Sequence, residues 1–322
     1  MRKFRLLCIL CIAAVFLTAC GKKITITDAY PVYSNAYMAE NSSVQYDARF
    51  FSEGLCVTGT ADFGTDQVSA YTAAASGAFN VDKCDVVYAN QIYEQIYPAS
   101  LTKILTALII IENCNLDDSV TVSDHAVDLE AEASTCGLSA GDVTTVKNLL
   151  YGLLLASGND AAIALAEYYS GSVEAFAEVM NQQAQALGAT NSHFLNPSGL
   201  HEENHYTTVY DLYLIFQKCI QSDVFVEIIS TKSIDVSYTN IRGESVNQTY
   251  ENTNRYLSGS VDSPNGFTII GGKTGTTDAA GNCLILLSEN SSGERIISIV
   301  AKAESKSDLY ILMSQILSAF CS

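Results

Sequence analysis

Two groups of short apolar segments, one near each end of the chain, predict the strands of a β-sheet. The first group is 73–80 and 85–89, joined by a turn around Asp82 and Lys83. The second group is separated by turns rich in Gly, Asn and Ser, and consists of 267–273, 283–288 and 295–302. Weaker strand patterns lie at 234–238 and 248–252.

The middle of the chain carries apolar residues at helical spacing and predicts several helices. They are 143–156, 160–169, 173–187 and 207–219, with a further one at 309–320. Another helix begins near Ser100, and because Thr106 is the only polar residue of 104–111, we expect it to run through a core. The order strands, helices, strands, helix is typical of an α/β (α+β) fold, in which an antiparallel sheet is flanked by helices and carries an inserted helical lobe.

The N-terminal residues predict export. They read MRKFRLLCILCIAAVFLTAC and combine a basic head with an apolar stretch and small residues before Cys20, as a secretory signal does. The ending LTAC before Gly21 resembles a bacterial lipobox, in which the cysteine is acylated and becomes the mature N-terminus. The alternative is an ordinary signal that is cleaved nearby. We predict a lipoprotein signal peptide at 1–19, a polar tether at 20–50 and one folded domain at 51–322.

Composition and charge restrict the partners. The 322 residues are 48% hydrophobic and 16% charged, which is enough for a substantial core. Loss of residues 1–19 removes three basic residues and no acidic one, so the formal net charge moves from −18 to −21. Such an acidic surface argues against nucleic acid as a partner. An anionic substrate would therefore need a local cluster of cations.

Cysteine and histidine usage argues against a metal site. Seven cysteines follow Cys20, no C-x-x-C pair occurs among them, and the chain has four histidines. We expect neither a zinc site nor a full disulfide framework, and most of the cysteines to be small buried hydrophobes. One or two disulfides stay open as an alternative in an exported protein.

A candidate nucleophile stands at the head of the apolar helix. Ser100 and Lys103 are one helical turn apart, so both side chains leave the same face. A lysine amine can take the serine proton only if burial or nearby positive charge lowers its pKa. Pro98 suits a helix start, where free backbone N–H groups can hold an oxyanion. Alone, this spacing is weak evidence for a catalytic pair, because an N-cap serine beside a solvated lysine gives the same spacing.

Two later triplets change that interpretation. Ser157-Gly158-Asn159 follows a helical segment, and Lys273-Thr274-Gly275 lies in a predicted strand. S-x-x-K, S-x-N and K-T-G in this order are the motif set of penicillin-binding proteins and serine β-lactamases. The segments GLSAGD, NPSGL and AGNC also resemble recurring sequences of the penicillin-binding proteins. Over roughly 75–320, the chain resembles the D-alanyl-D-alanine carboxypeptidases, which are low-molecular-weight penicillin-binding proteins and serine-type peptidases.

This resemblance implies a serine β-lactamase/transpeptidase-like fold and a penicillin-binding catalytic domain at 51–322. The implied reaction removes the terminal D-alanine of peptidoglycan pentapeptide stems through an acyl-enzyme, is inhibited by β-lactams and needs no metal or organic cofactor. Ser100 would be the nucleophile, Lys103 its base and Ser157 a proton relay to the leaving amine. The implied substrate-binding residues are Asn159, Lys273, Thr274, Gly275 and Thr276. The N–H groups of Ser100 and Thr276 would form the oxyanion hole.

The chain departs from the family pattern in two places. Many members carry an arginine after the strand that follows K-T-G, whereas residues 299–308 here read IVAKAESKSD. Binding of the substrate carboxylate is therefore expected from Thr274, with Lys302 or Lys273 in support. Some relatives also have a C-terminal β-rich domain that ends in a membrane helix. We expect the lipid on Cys20 to replace that anchor.

Other functions of the same motif set are weighed against this one. A D,D-transpeptidase or endopeptidase would use the same acyl-enzyme and is the main alternative. A serine β-lactamase is less expected, because residues 179–200 contain no acidic side chain of the kind that class A enzymes use to position water. A non-catalytic penicillin-binding module or sensor would need signalling segments in the membrane, and none is apparent beyond the signal.

The lipobox generates a direct prediction. Cys20→Ala should release the protein from membranes or leave it as an uncleaved precursor, because the acylated thiol is the expected anchor. Metabolic labelling with a clickable fatty acid measures this, with the wild-type chain as the positive control. A wild-type protein that incorporates no lipid would contradict the prediction.

Overall fold

The structure, a computed structural model, describes residues 52–321. The predicted signal peptide, the tether and Cys20 lie outside these residues. Nowhere in the described part of the chain is a helix long and apolar enough to cross a membrane.

Nine strands and nine α-helices lie within residues 52–321. The strands are β1 (Ala73–Asn80), β2 (Asp85–Asn90), β3 (Ser119–Thr121), β4 (Val143–Thr145), β5 (Ser233–Thr239), β6 (Ser245–Glu251), β7 (Phe267–Thr277), β8 (Gly281–Asn290) and β9 (Arg295–Ala303). The helices are α1 (Thr102–Asn113), α2 (Asp124–Val127), α3 (Val146–Leu154), α4 (Asn159–Ser170), α5 (Val173–Ala186), α6 (Val209–Cys219), α7 (Asp223–Ser230), α8 (Arg255–Ser258) and α9 (Lys306–Phe320).

The main sheet unites the two predicted groups of strands. Its antiparallel order is β2-β1-β9-β8-β7. Alternate residues of its strands supply two separate cores, since side chains of a strand point to opposite faces. On β8, Leu284 and Leu286 pack with helix α9, whereas Ile285 and Leu287 belong to the core shared with the helical lobe. Burial on both faces explains why β8 and β9 are nearly continuous apolar runs.

Helix α1 is the centre of the helical lobe, as its apolar sequence predicted. Every residue from Thr102 to Ile110 is buried, and the helix packs against α3, α4, α5, α6 and α7. Side-chain hydroxyls of Thr145, Ser172, Thr208 and Ser222 accept backbone N–H bonds at the starts of α3, α5, α6 and α7. These N-caps fix where the surrounding helices begin.

A second antiparallel sheet, in the order β3-β4-β5-β6, adds to the predicted architecture. The two weak strand patterns are confirmed as the hairpin β5–β6. The prediction that residues 143–145 are helical is wrong, because they form β4, whose Val143 pairs with Thr239. Thr145 ends that strand and caps α3 through its hydroxyl. Helix α7 was not predicted.

The cysteines of the described chain are free thiols. Five are buried, which confirms the expectation of small buried hydrophobes, and they are Cys56, Cys136, Cys219, Cys283 and Cys321. Cys114 is half-buried and Cys84 is exposed. Between residues 52 and 321 no group of three or more His, Cys, Asp or Glu side chains is arranged to hold a metal ion.

Candidate active site

Ser100 lies where a helix begins beside a strand of the main sheet. Ala99–Leu101 forms a 3₁₀ turn that leads directly into α1. Strand β7, which carries K-T-G, passes this turn so closely that a Cβ on Gly275 would lie 3.1 Å from the Ser100 nitrogen. A side chain at this position would be crowded, so glycine suits the close passage of the strand beside the serine.

The loop Asn196–Leu200 packs against the same turn. Gly199 has a φ of +83°, and a Cβ there would lie 1.8 Å from the carbonyl oxygen of Ala99. Thr106 of α1 donates a hydrogen bond to the carbonyl oxygen of Pro197 at 2.7 Å. The loop and the start of the helix therefore pack directly against each other beside the serine.

Lys103 is buried beneath Ser100 with three oxygen partners. Its relative exposure is 0%. Its Nζ lies 2.9 Å from Ser100 Oγ, 2.6 Å from Asn159 Oδ1 and 2.7 Å from the carbonyl oxygen of Ser198. The last two oxygens can only accept, whereas the serine hydroxyl can donate or accept. A neutral amine therefore satisfies the whole set by donating two protons and accepting the third from Ser100.

The electrostatic environment favours that neutral amine. Burial, followed by the positive charge of Lys273, lowers the pKa of Lys103 well below its usual value, with smaller opposing effects from Asp160 and Cys136. Asp160 is also buried, but its carboxylate accepts the backbone N–H groups of Cys136, Gly137 and Leu138 at 2.9 to 3.1 Å. Lys103 consequently meets the conditions for a base.

A second buried lysine supports Ser157. Lys273 Nζ donates to Ser157 Oγ at 2.8 Å and to the carbonyl oxygen of Thr274 at 2.9 Å. Burial lowers the pKa of Lys273 to about 7. Ser157 itself has a φ of +60°, a backbone conformation that costs energy in a residue other than glycine. The strained turn aims its hydroxyl at a lysine that can give up a proton near neutral pH.

The site contains a cleft with two arms, which meet at Ser100. The larger arm has a volume of about 630 Å³ and is lined in part by Ser100, Asn159 and Thr276. The smaller arm has about 190 Å³ and is lined in part by Ser100, Ser157, Thr274, Gly275 and Thr276. With Lys103 and Lys273 buried below, all eight predicted site residues come together. Cys20 lies outside the described residues.

The geometry of the cleft does not support the expected role of Lys302 in carboxylate binding. It lines neither arm of the cleft. The cations of the smaller arm are Arg255 of α8 and Lys306 of α9. Thr274 Oγ1 lies there too, hydrogen-bonded at 2.6 Å to Thr253 Oγ1. Lys302 is the exposed next-to-last residue of β9, with a φ of +55°, whereas Lys306 begins helix α9, which packs over the sheet.

Several residues of the site escaped the sequence interpretation. The NPSGL phrase was recognised, but nothing in it indicated that the backbone of Ser198 is an acceptor for Lys103. His205 was also missed. It is buried, its Nε2 lies 2.9 Å from Thr102 Oγ1, and its Nδ1 accepts the Leu195 N–H at 3.2 Å. Burial lowers its pKa to about 4, so it supports the loop as a neutral ring.

Comparison with known proteins identifies the family. Residues 64–305 match the family model of the S11 peptidases, described as D-alanyl-D-alanine carboxypeptidase. The chain belongs to this family. The D-alanyl-D-alanine carboxypeptidase DacF of Bacillus subtilis (strain 168) is 34% identical over 224 residues, which are 67% of this chain and 54% of that protein. The chain spans about half the length of the curated relatives it matches.

Solved structures confirm the predicted fold. The crystal structure of the Streptomyces K15 DD-transpeptidase has a TM-score of 0.70 at 31% identity and covers 77% of this chain and 97% of that one. A D-alanyl-D-alanine carboxypeptidase from Mycobacterium tuberculosis H37Rv has a TM-score of 0.67 at 26% identity, with 76% and 89% covered. The serine β-lactamase/transpeptidase-like prediction was therefore correct.

The pair of buried lysines predicts a pH effect. Lys273→Met should move the acid limb of covalent acylation to higher pH, because loss of the nearby positive charge lets Lys103 keep its proton to a higher pH. The rate constant for labelling by a fluorescent penicillin, measured across the pH range, reports the limb. Lys302→Met removes an exposed charge outside the cleft and serves as the control. An acid limb that stays in place in Lys273→Met would contradict the assignment.

Proposed function

We propose that the protein is a serine-type D-Ala-D-Ala carboxypeptidase that removes the terminal D-alanine from peptidoglycan stem peptides. The observation that carries this proposal is the Ser100–Lys103 pair, in which a buried amine has two carbonyl acceptors and one hydroxyl partner. Family membership supports it, as do relatives that are named D-alanyl-D-alanine carboxypeptidase.

In the proposed acylation, Ser100 Oγ attacks the carbonyl carbon of the penultimate D-Ala. Lys103 Nζ, 2.9 Å away, takes the hydroxyl proton. The carbonyl oxygen becomes an oxyanion, for which the proposed donors are the N–H groups of Ser100, at the start of its helical turn, and of Thr276 on β7. Each such donor is typically worth about 3 kcal/mol.

The leaving D-alanine needs a proton on its amine. Ser157 Oγ is the proposed donor, and it recovers a proton from Lys273 Nζ at 2.8 Å. A lysine whose pKa is about 7 can supply this proton near neutral pH. The C–N bond breaks and the peptide remains as an ester on Ser100. Water then adds to the ester carbonyl and gives a proton back to Lys273 through Ser157. Lys103 returns its proton to the Ser100 oxygen as this oxygen leaves.

The smaller arm is the proposed site of the substrate's terminal carboxylate. Thr274 offers one neutral hydrogen bond, whereas bonds from charged donors contribute about 1.5 to 3 kcal/mol each. Arg255 and Lys306 supply such donors. The backbone N–H of Arg255 donates to Tyr310 Oη at 2.9 Å, and its guanidinium lies over the Tyr310 ring, 5.8 Å from the centroid. Arg255 is thereby held against α9 at the arm's wall.

A D,D-transpeptidase or endopeptidase is the second candidate. The observation that favours it is the structural match to a protein named DD-transpeptidase. Such an enzyme would pass the acyl group of Ser100 to an amine instead of water. A serine β-lactamase and a non-catalytic penicillin-binding module are less favoured for the reasons given by the sequence.

We also propose that the enzyme acts outside the cytoplasm as a membrane-anchored bacterial lipoprotein. The signal sequence and the lipobox at Cys20 support this location, and the peptidoglycan stems of the proposed reaction are found there. β-Lactams are the expected covalent inhibitors. The acidic net charge speaks against a nucleic acid partner.

The nucleophile is tested directly. Ser100→Ala should abolish labelling by a fluorescent penicillin and release of D-alanine from a peptide ending in D-Ala-D-Ala. Lys103→Ala should be nearly as severe, because only binding and the oxyanion hole remain. Ser291→Ala, an exposed serine, is the control. Mass spectrometry with and without an amine acceptor separates the two candidates, since free D-alanine without cross-linked product identifies the carboxypeptidase. Labelling that survives Ser100→Ala would contradict the proposal.

The carboxylate site predicts unequal effects of three cations. Arg255→Ala and Lys306→Ala should each lower kcat/KM for the D-Ala-D-Ala peptide about tenfold, near 1.4 kcal/mol, because each removes a charged donor from the smaller arm. Lys302→Ala should leave kcat/KM unchanged. A peptide with an amidated C-terminus should lose little in any variant. Equal losses on the acid and the amide would show that the arm binds something other than the carboxylate.

A further inference from the structure

A threonine outside the three motifs forms a hydroxyl pair with the threonine of K-T-G. Thr253 Oγ1 and Thr274 Oγ1 are 2.6 Å apart, and both residues line the smaller arm of the cleft. Within residues 52–321 neither hydroxyl has another hydrogen-bond partner. Each hydroxyl carries one proton. The pair therefore uses one proton between its two oxygens and has one proton left for a ligand in the arm.

Two buried asparagines fix the backbone on both sides of Thr253. The side-chain amide of Asn252 donates to two carbonyl oxygens at the end of α7, at 3.2 and 3.0 Å. Its Oδ1 accepts the Asn254 N–H at 3.0 Å. Asn254 is fully buried, and its Oδ1 accepts the Tyr256 N–H at 3.1 Å. The Thr253 hydroxyl is thus presented to the arm from a segment that is already ordered.

Thr253 also connects two of the motifs. Its backbone N–H donates to the carbonyl oxygen of Leu155 at 3.3 Å, two residues before Ser157. Its hydroxyl contacts Thr274 on β7. Arg255, two residues further along, lines the same arm. One short segment therefore sets the position of the hydroxyl pair relative to the S-G-N turn and to a cation of the arm.

The proton shared by the two threonines can point in two directions. If Thr274 donates it to Thr253, Thr274 Oγ1 has only lone pairs to turn toward the arm, and these repel a carboxylate. If Thr253 donates it, the proton of Thr274 is free to point into the arm. A hydroxyl that accepts a hydrogen bond also donates a stronger one, because the bonds of a chain polarise one another. An anion in the arm therefore favours donation by Thr253.

We propose that Thr253 is a positioning residue of the carboxylate site. It donates its hydroxyl proton to Thr274 and thereby turns the Thr274 proton toward the terminal carboxylate of the substrate. The inference rests on the proposed function. Because Thr253 acts through Thr274, its effect requires both the Thr274 hydroxyl and a carboxylate on the substrate. The effect falls on KM more than on kcat, since the carboxylate is held equally in the bound substrate and in the transition state.

The test is a double-mutant cycle on the two hydroxyls. Thr253→Val replaces the hydroxyl with a methyl group and should raise KM for a peptide ending in D-Ala-D-Ala about threefold to tenfold, with little change in kcat. The same peptide with an amidated C-terminus should show equal kcat/KM in the wild type and in Thr253→Val. Thr274→Val should cost more, and the double variant should be no more impaired than Thr274→Val alone.

Two further variants separate the hydroxyl from the packing. Thr253→Ser keeps the hydroxyl and should keep KM near the wild-type value. Thr268→Val changes an exposed threonine of β7 that lines neither arm, and it serves as the matched control. Labelling of every variant by a saturating concentration of fluorescent penicillin confirms an intact nucleophile.

The outcomes separate this inference from the proposed function. An unchanged KM in Thr253→Val, equal losses on the acid and the amide, or a Thr253→Ser variant as impaired as Thr253→Val would overturn the inference alone. A further loss in the double variant would overturn it too, because Thr253 would then act on the substrate without Thr274. A wild-type protein that releases no D-alanine would instead overturn the proposed function.

Discussion

The site depends on keeping one lysine amine away from water. Burying an ammonium costs several kcal/mol, so burial alone drives Lys103 toward the neutral form that can act as a base. The fold must still provide acceptors for its remaining protons, and it provides carbonyl oxygens from Asn159 and Ser198. A free carboxylate in either place would attract the ammonium form and remove the base. The charge of Asp160 opposes the lowered pKa of Lys103, but this carboxylate already accepts hydrogen bonds from the backbone N–H groups of residues 136–138.

This requirement explains why the segments around Ser100 are packed so closely. Water is excluded from the amine of Lys103 only if the four segments around it pack closely. These segments are α1, the S-G-N turn, the Asn196–Leu200 loop and β7. The glycines at 199 and 275 allow those contacts, because a Cβ at either position would press on the backbone of the Ala99–Ser100 turn. The same packing fixes Ser100 against Lys103, so the geometry for proton transfer exists before substrate binds.

The sequence was informative where chemistry and local structure coincide. The three motifs contain their functional side chains at fixed spacing. The strong strands were placed to within a few residues, because both of their faces are buried in a core and their apolar pattern is therefore pronounced. Ser198 could not be predicted, since it contributes a backbone oxygen that any residue possesses. Arg255 and Lys306 were missed because neither is marked locally as a site residue, and only the path of α8 and α9 brings them to Thr274. Val143–Thr145 was misassigned because its pairing partner in β5 is more than ninety residues away.

The order of strands in the main sheet places the first described strand beside the last. β1 pairs with β9 from Ala73 opposite Ala303 to Asn80 opposite Ile296, and α9, which follows β9, completes the smaller arm with Lys306. A chain that emerges amino end first, from a ribosome or an export channel, cannot make this pairing until the residues of β9 have also emerged. Contacts over such separations also form slowly. A chain interrupted before β9 would contain all three motifs, but it would lack the strand that joins β1 to β8 in the main sheet.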